Sequence, residues 1–191
     1  MSTPPQSWLS IRTERLLLRD FRLNDFDAVH AYGSDPEVAR YMEWGPNSPD
    51  ESRAFLDRAL ASQATWPRLD FGLVIEHLAD AKAIGSIGLH LRDASNRTVE
   101  IGYCLNRDYW RQGLIHEAAH ALIDTGFRTL GLHRVFATCD VRNTGSFSVM
   151  QKLGMRREGT LRQDRQIKDA WRDTYLYAVL AEEWVGAGKG Q

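Results

Sequence analysis

EIGYCLNRDYWRQGLIHEAA, residues 100–119, decides the fold. It begins inside a strand-type run, residues 98–105, rich in β-branched and aromatic side chains. A short polar loop follows, and at Gly113 a long helical pattern opens. Ile115, Ala119, Leu122 and Phe127 recur at helical spacing over residues 113–130. Gly131 stops that pattern by supplying a left-handed C-terminal cap. A strand feeding a loop that feeds a helix leaves unpaired N–H groups and partial positive charge at the helix start. A phosphate or pyrophosphate is the natural guest there. Glycine at position 113 permits close backbone approach, and Arg111 adds a cation at the mouth.

Working outward, the chain alternates strands and helices. Residues 15–21 read as a first strand, and Asn24 or Asp25 then caps a helix reaching Tyr32. A turn marked by Gly45, Pro46 and Pro49 leads to Asp50, the expected cap of a helix ending near Ala64. Residues 69–77 and 83–91 form a hairpin through Ala79, Asp80 and Ala81. Beyond the long helix come a strand at 134–141, a short helix at 144–153 ended by Gly154, and strands at 155–166 and 171–180. The mixed order predicts an α/β (mixed α+β) architecture of about seven strands and about four helices, not a barrel. Residues 1–191 are expected to form one domain with its core over 11–184. Residues 2–6 and 185–191 are expected to be loose.

Composition narrows the function. With 24 Lys+Arg against 25 Asp+Glu, the chain offers no general attraction for nucleic acid or anionic membrane. At 43% hydrophobic and 26% charged it is too apolar for disorder. The opening ten residues lack a basic stretch followed by an apolar one, so no secretory leader is expected. No apolar run approaches the ~18 residues of a spanning helix. Cys104 and Cys139 stand alone in apolar segments, which fits two small core residues in a reducing, cytoplasmic setting.

WRQGLIHEA, residues 110–118, resembles the acetyl-CoA loop of the GNAT acetyltransferases, in the branch that contains the ribosomal-protein N-terminal (alanine/serine) acetyltransferases. RTERLLLRDF at 12–21 is similar to that branch's opening strand, and EIGY at 100–103 to its central strand. VRNTGSFSVMQKLGM at 141–155 is similar to its second cofactor element. EGTLRQ at 158–163 and WRDTYLYAVL at 171–180 resemble its final hairpin. The resemblance spans residues 11–184, with the motifs in order. It implies a central, mostly antiparallel twisted sheet with a splayed parallel pair. It also implies transfer of acetyl from acetyl-CoA to a primary amine, such as a protein N-terminal α-amine.

The resemblance also implies residue roles. Backbone N–H groups of Arg111, Gln112, Gly113, Leu114 and Ile115, with His116 close by, would hold the pyrophosphate. The pantetheine arm would pair with the main chain near Cys104 and Leu105. Asn143 would bond its amide, and Ser146 would face the sulfur. Tyr41 and Trp44, with Trp66, fall on the rim of the implied acceptor pocket, walled by the first two helices and the last hairpin. Glu43, Asp50 and Glu51 make that region acidic, which suits a cationic amine. Three departures stand out. Trp110 replaces the family's frequent Arg or Gln, Ile115 replaces a small residue, and Met150 stands where many members carry a tyrosine acid. A thioether cannot donate a proton, so Ser146 or a water becomes the candidate acid.

An amine attacks a thioester only when neutral. An α-amine, with a pKa of about 8, needs a weaker base than a lysine amine at about 10.4. Glu100, within an apolar strand, is the candidate base, acting directly or through a water. The competing reading pairs it with an arginine. Ser146 likewise has a competing role, as a helix cap with Thr144. A main-chain N–H near Tyr103 to Leu105 would serve the oxyanion.

Two other functions fit parts of the sequence. HEAAH at 116–120 matches the HExxH pattern, in which two histidines one turn apart bind zinc. No extension follows, since Ile123 and Gly126 occupy the positions that would need Gly and His, and the pattern leaves Gly113 and Asn143 unexplained. No metal is therefore expected. A catalytically degenerate chain that only binds acyl-CoA, as a sensor or interaction module, is allowed by Met150, Trp110 and Ile115. A homodimer is the commonest assembly for chains of this kind.

Overall fold

The computed structural model describes residues 10–68 and 70–187. The expected loose segment at 2–6, the residues after 187 in the expected C-terminal tail, and Leu69 as a strand residue lie outside this range.

One sheet organises the fold. Its strands are β1 (Ile11–Arg12), β2 (Leu16–Arg19), β3 (Asp70–His77), β4 (Lys82–Asp93), β5 (Thr98–Leu105), β6 (Arg134–Asp140), β7 (Arg156–Ile167) and β8 (Ala170–Leu180). They lie in the spatial order β1-β2-β3-β4-β5-β6-β8-β7. Every neighbouring pair is antiparallel except β5 and β6. Those two pair only over Thr98, Val99 and Glu100 against Arg134, Val135 and Phe136. Beyond Glu100 they part, as the splayed pair requires. The two-residue β1 is the strand that the sequence reading missed.

The helices are α1 (Phe26–Gly33), α2 (Pro49–Gln63), α3 (Leu114–Thr129), α4 (Thr144–Lys152) and α5 (Ala181–Ala187). α3 buries Leu114, Ala118, Ala119, Leu122, Ile123 and Gly126 on one face. That stripe packs on Leu73, Ile75, Ile87, Leu89 and Ile101 of the sheet. Gly126 is needed for this approach, because a Cβ there would come within 2.9 Å of Leu132 Cδ1. On the opposite face, Phe21, Val29, Tyr32, Val38 and Leu56 cover Val74 and Cys104. β-strand alternation thus sends residues 101, 103 and 105 toward α3 and residues 100, 102 and 104 toward α1 and α2.

Helix ends refine the sequence reading. Gly131 (φ +63°) and Gly154 (φ +74°) adopt the left-handed conformation expected of them. The cap of α2 is Ser48, not Asp50. Ser48 Oγ accepts the Glu51 N–H at 3.2 Å, and Glu51 Oε2 accepts the Ser48 N–H at 2.7 Å, with Pro49 starting the helix. Asp25 precedes α1, but its side chain caps nothing in that helix. Its carboxylate is held instead by Arg19 Nη1 and Nη2, each at 2.8 Å. α5 overlaps the segment expected to be featureless. It is anchored by Trp184, buried against His120 at 4.9 Å and Phe127 at 6.0 Å between ring centroids. Among the described residues no helix is long and apolar enough to cross a membrane.

Candidate active site

The site lies where β5 and β6 separate. Asn106 N–H donates to Ile84 C=O at 2.8 Å, and Ser86 stands opposite Cys104. Antiparallel alternation then turns the main-chain groups of Cys104 toward β4, and those of Tyr103 and Leu105 toward the open gap. This corrects the expected part of Cys104. Its main chain belongs to the ladder, and its buried side chain packs with Tyr32 and Val74. Leu105 C=O is also taken, by the Trp110 indole N–H at 2.8 Å. Trp110 therefore braces the strand end. The gap keeps N–H groups of Tyr103 and Leu105 and the C=O of Tyr103 for a ligand running alongside.

The loop from Asn106 to Gly113 closes one end of the gap. Arg111 (φ +61°) and Gly113 (φ +77°) both take left-handed conformations, a turn that folds successive N–H groups toward one side. For Arg111 this conformation is strained, the kind of cost that clusters at ligand clamps. Glu117 N–H makes the first helical bond, to Gly113 C=O at 3.1 Å. The N–H groups of Leu114, Ile115 and His116 precede it and have no intrahelical acceptor. Arg15, beside β2, locks this helix start in place. Its main-chain N–H and Nε reach Glu117 at 2.9 and 2.7 Å, and Nη1 reaches Gln112 C=O at 2.9 Å. Thr13 Oγ1 adds a bond to Glu117 at 2.6 Å.

A cleft of about 640 Å³ runs from this helix start along the gap to α4. Cys104, Leu105, Arg111, Gly113, Leu114, Ile115, His116, Asn143 and Ser146 all line it. Gln112 does not, since its carbonyl is turned to Arg15. A second cavity of about 250 Å³ lies beyond, walled by Tyr41, Trp44, Glu100, Thr138, Cys139 and Arg165, among others. Tyr41, Met42, Tyr103, Asn143 and Ser146 border both. Trp66 borders neither and stands 62% exposed in the loop before β3.

At the junction, Ser146 Oγ lies 3.1 Å from Tyr103 Oη, which also reaches Ser146 C=O at 3.2 Å. Burial pushes the Tyr103 phenol far above its ordinary range, and it stays a neutral hydrogen-bonding group. Cys139 sits beside Ser146, its thiol pushed up to about 11 by burial. The helix cap belongs to Asn143 and not to Ser146 with Thr144, because Asn143 Oδ1 accepts the Ser146 N–H at 3.1 Å. Asn143 also lines the cleft. Met150 is buried on the floor of the second cavity.

Glu100 enters from the other face of the sheet. Arg92 donates Nε and Nη2 to Oε2 at 2.9 and 2.7 Å, and Thr138 Oγ1 donates to Oε1 at 3.1 Å. The arginine pairing weighed from sequence is real, yet the carboxylate still borders the second cavity. The acidic cluster is also partly neutralised. Glu43 pairs with Arg165, and Glu51 is spent on capping α2. Lys168 Nζ, bonded to Ala39 C=O at 2.6 Å, ties the β7–β8 hairpin to the short 3-10 helix after α1.

The HEAAH residues have structural employment. Glu117 is anchored by Arg15, and His120 packs on Trp184. Among the described residues no three His, Cys, Asp or Glu side chains come together as a metal-holding group. Arg15 and the Tyr103 side chain are the site residues that sequence reasoning missed. Both stand in quoted motifs, but only the fold brings Arg15 to a helix start about a hundred positions away.

Comparison with known proteins decides the family. The acetyltransferase (GNAT) domain family matches residues 15–156. The chain belongs to the GNAT acetyltransferases. It is 36% identical over 179 residues to YnaD of Bacillus subtilis strain 168, an uncharacterized N-acetyltransferase, covering 92% of this chain and 99% of that one. A crystal structure of a GNAT-family acetyltransferase from Bacillus anthracis is 35% identical, with a TM-score of 0.82 over 92% of this chain and 100% of that one. A ribosomal-protein-serine acetyltransferase of Escherichia coli strain K12 is 37% identical over 99 residues, covering 52% of this chain and 55% of that one. The GNAT enzyme described here is thus an acetyl-CoA-dependent acyltransferase. Its cleft fits that substrate: free N–H groups at a helix start for the pyrophosphate, and an unpaired strand edge for the pantetheine amides.

Proposed function

We propose that this GNAT enzyme acetylates a primary amine, with a peptide N-terminal α-amine as the leading acceptor class. The observation that carries the reading is the meeting of two cavities at Ser146 and Tyr103, one suited to acetyl-CoA and the other bordered by Glu100. The N–H groups of residues 111 and 113–116 hold the pyrophosphate, and the Tyr103 and Leu105 main chain pairs with the pantetheine arm. Asn143 donates to a pantetheine carbonyl. The thioester then lies in the gap. An N–H of Tyr103 or Leu105 stabilises its oxygen as charge develops. Glu100 steadies the incoming ammonium. Ser146 donates a hydrogen bond to the departing thiolate, in place of the tyrosine that Met150 displaces. Tyr41 and Trp44 shape the acceptor entrance.

The peptide acceptor is supported by the similarity to a ribosomal-protein-serine acetyltransferase. A single sheet running from Ile11 to Leu180 supports treating residues 1–191 as one domain. Two buried free thiols support a cytoplasmic setting. Titration calorimetry with acetyl-CoA, CoA and dephospho-CoA, followed by a panel of peptides and small amines, tests the proposal. The expected result is 1:1 binding and turnover fastest with peptides. Binding without turnover on the whole panel would make the chain an acyl-CoA sensor, and absence of binding would overturn the assignment of the cleft.

A further inference from the structure

Glu100 is poorly placed to accept a proton itself, because Arg92 and Thr138 already occupy both of its oxygens. Directly across the β4–β5 ladder stands His90. Its ring leans along the sheet over two glycines that face each other. A Cβ on Gly88 would lie 3.1 Å from Nε2, and one on Gly102 would lie 3.7 Å from it. Gly102 and Glu100 both wall the acceptor cavity, and with no side chain at 102 the His90 ring lies directly beside that wall. His90 Nδ1 lies 2.9 Å from Asp70 Oδ1 on β3. That bond to His90, reinforced by Arg68, holds the Asp70 carboxyl below the usual range. A carboxylate only accepts, so Nδ1 carries the hydrogen, and in the neutral imidazole the lone pair is then on Nε2. A base oriented by a third group is the arrangement that activates nucleophiles generally.

Granting the acetyl-transfer reading, the geometry points to His90 as the group on which the acceptor amine's proton lands, with Asp70 as its positioning residue. The amine lone pair forms the N–C bond to the acetyl carbonyl carbon. The C–S bond breaks, with its electron pair going to sulfur. The proton leaves nitrogen for Nε2 and passes from the half-exposed imidazole to water, while the thiolate is protonated from the Ser146 side. The charged groups facing His90 are Asp70 from β3, Glu100 from β5, Arg92 two residues along its own strand, and Arg68 through its contacts with Asp70 and Gly72.

The test compares pH profiles of kcat/KM for the best acceptor in wild type, His90→Gln, Asp70→Asn and Glu100→Gln, with acetyl-CoA affinity measured alongside. His90→Gln is expected to lower kcat by about 100-fold or more and to abolish the acidic limb, with unchanged acetyl-CoA affinity. Asp70→Asn is expected to move that limb to lower pH, which loss of a merely structural contact would not do. A His90→Gln enzyme that retains both its rate and its acidic limb overturns the assignment, as does a limb lost only in Glu100→Gln. If His90→Gln does not fold, an unmoved limb in Asp70→Asn overturns it equally. A wild-type chain that binds no acetyl-CoA fails the acetyl-transfer reading instead, and His90 falls with it.

Discussion

Ser146 illustrates how one side chain can carry two candidate roles that only geometry separates. From sequence it is either a cap for α4 or a group facing the leaving sulfur. Asn143 takes the cap, and Tyr103 Oη, at 3.1 Å, fixes the Ser146 hydroxyl at the junction of the two cavities. Ser146→Ala should therefore lower kcat about tenfold, less than a typical general acid because a thiolate leaves readily. Its effect on stability should stay below about 1 kcal/mol, since the cap remains. Steady-state kinetics beside a thermal melt check this, and a large melt shift with unchanged kcat would return Ser146 to a structural role.

At the scale of elements, the start of α3 is prepared from outside the helix. Gly113 supplies the left-handed turn, but Arg15 and Thr13 hold Glu117 and the Gln112 carbonyl so that the free N–H groups keep their direction. Hydrogen bonds to charged groups contribute roughly 1.5–3 kcal/mol. The Arg15 side chain is 41% exposed, which places it at the low end. Arg15→Ala should raise KM for acetyl-CoA about tenfold while kcat changes little. Initial rates over an acetyl-CoA series measure the split, and a fall in kcat alone would contradict it.

For the molecule as a whole, carboxylates held by hydrogen-bond donors make stability depend on acid. Asp140, with its side chain 1% exposed, is held below the usual range by Arg142. Glu158 is lowered by Arg134, and Asp70 by His90. A carboxyl lowered in the folded state stabilises it above the unfolded pKa, near 3.9–4.3, and that contribution is lost as pH falls through the folded value. The melting temperature should therefore be flat near neutrality and fall below about pH 4. Asp140→Asn should make the fall shallower, with melts between neutral pH and strong acid as the measurement.

The sequence by itself determined what local chemistry dictates. The period of 2 in residues 98–105 and the helical stripe after Gly113 wrote their elements directly, and Gly131 and Gly154 closed their helices because left-handed turns favour glycine. The helix start at Gly113 was legible as an anion site because main-chain donors follow from element order, whereas Asn143 and Ser146 came only from the resemblance to the GNAT acetyltransferases. The α2 cap was misread although its partner lies three residues away, and two further things were decided only in the tertiary structure, by partners distant in the chain. The α2 cap passed from Asp50 to Ser48 because the reciprocal bond with Glu51 forms only from that position. The pleat handed Tyr103 and Leu105, not Cys104, to the gap, since the register of β4 against β5 settles which groups are already paired. Glu100, Arg92, Asp70 and His90 converge because three strands lie side by side, a neighbourhood that one-dimensional spacing does not encode.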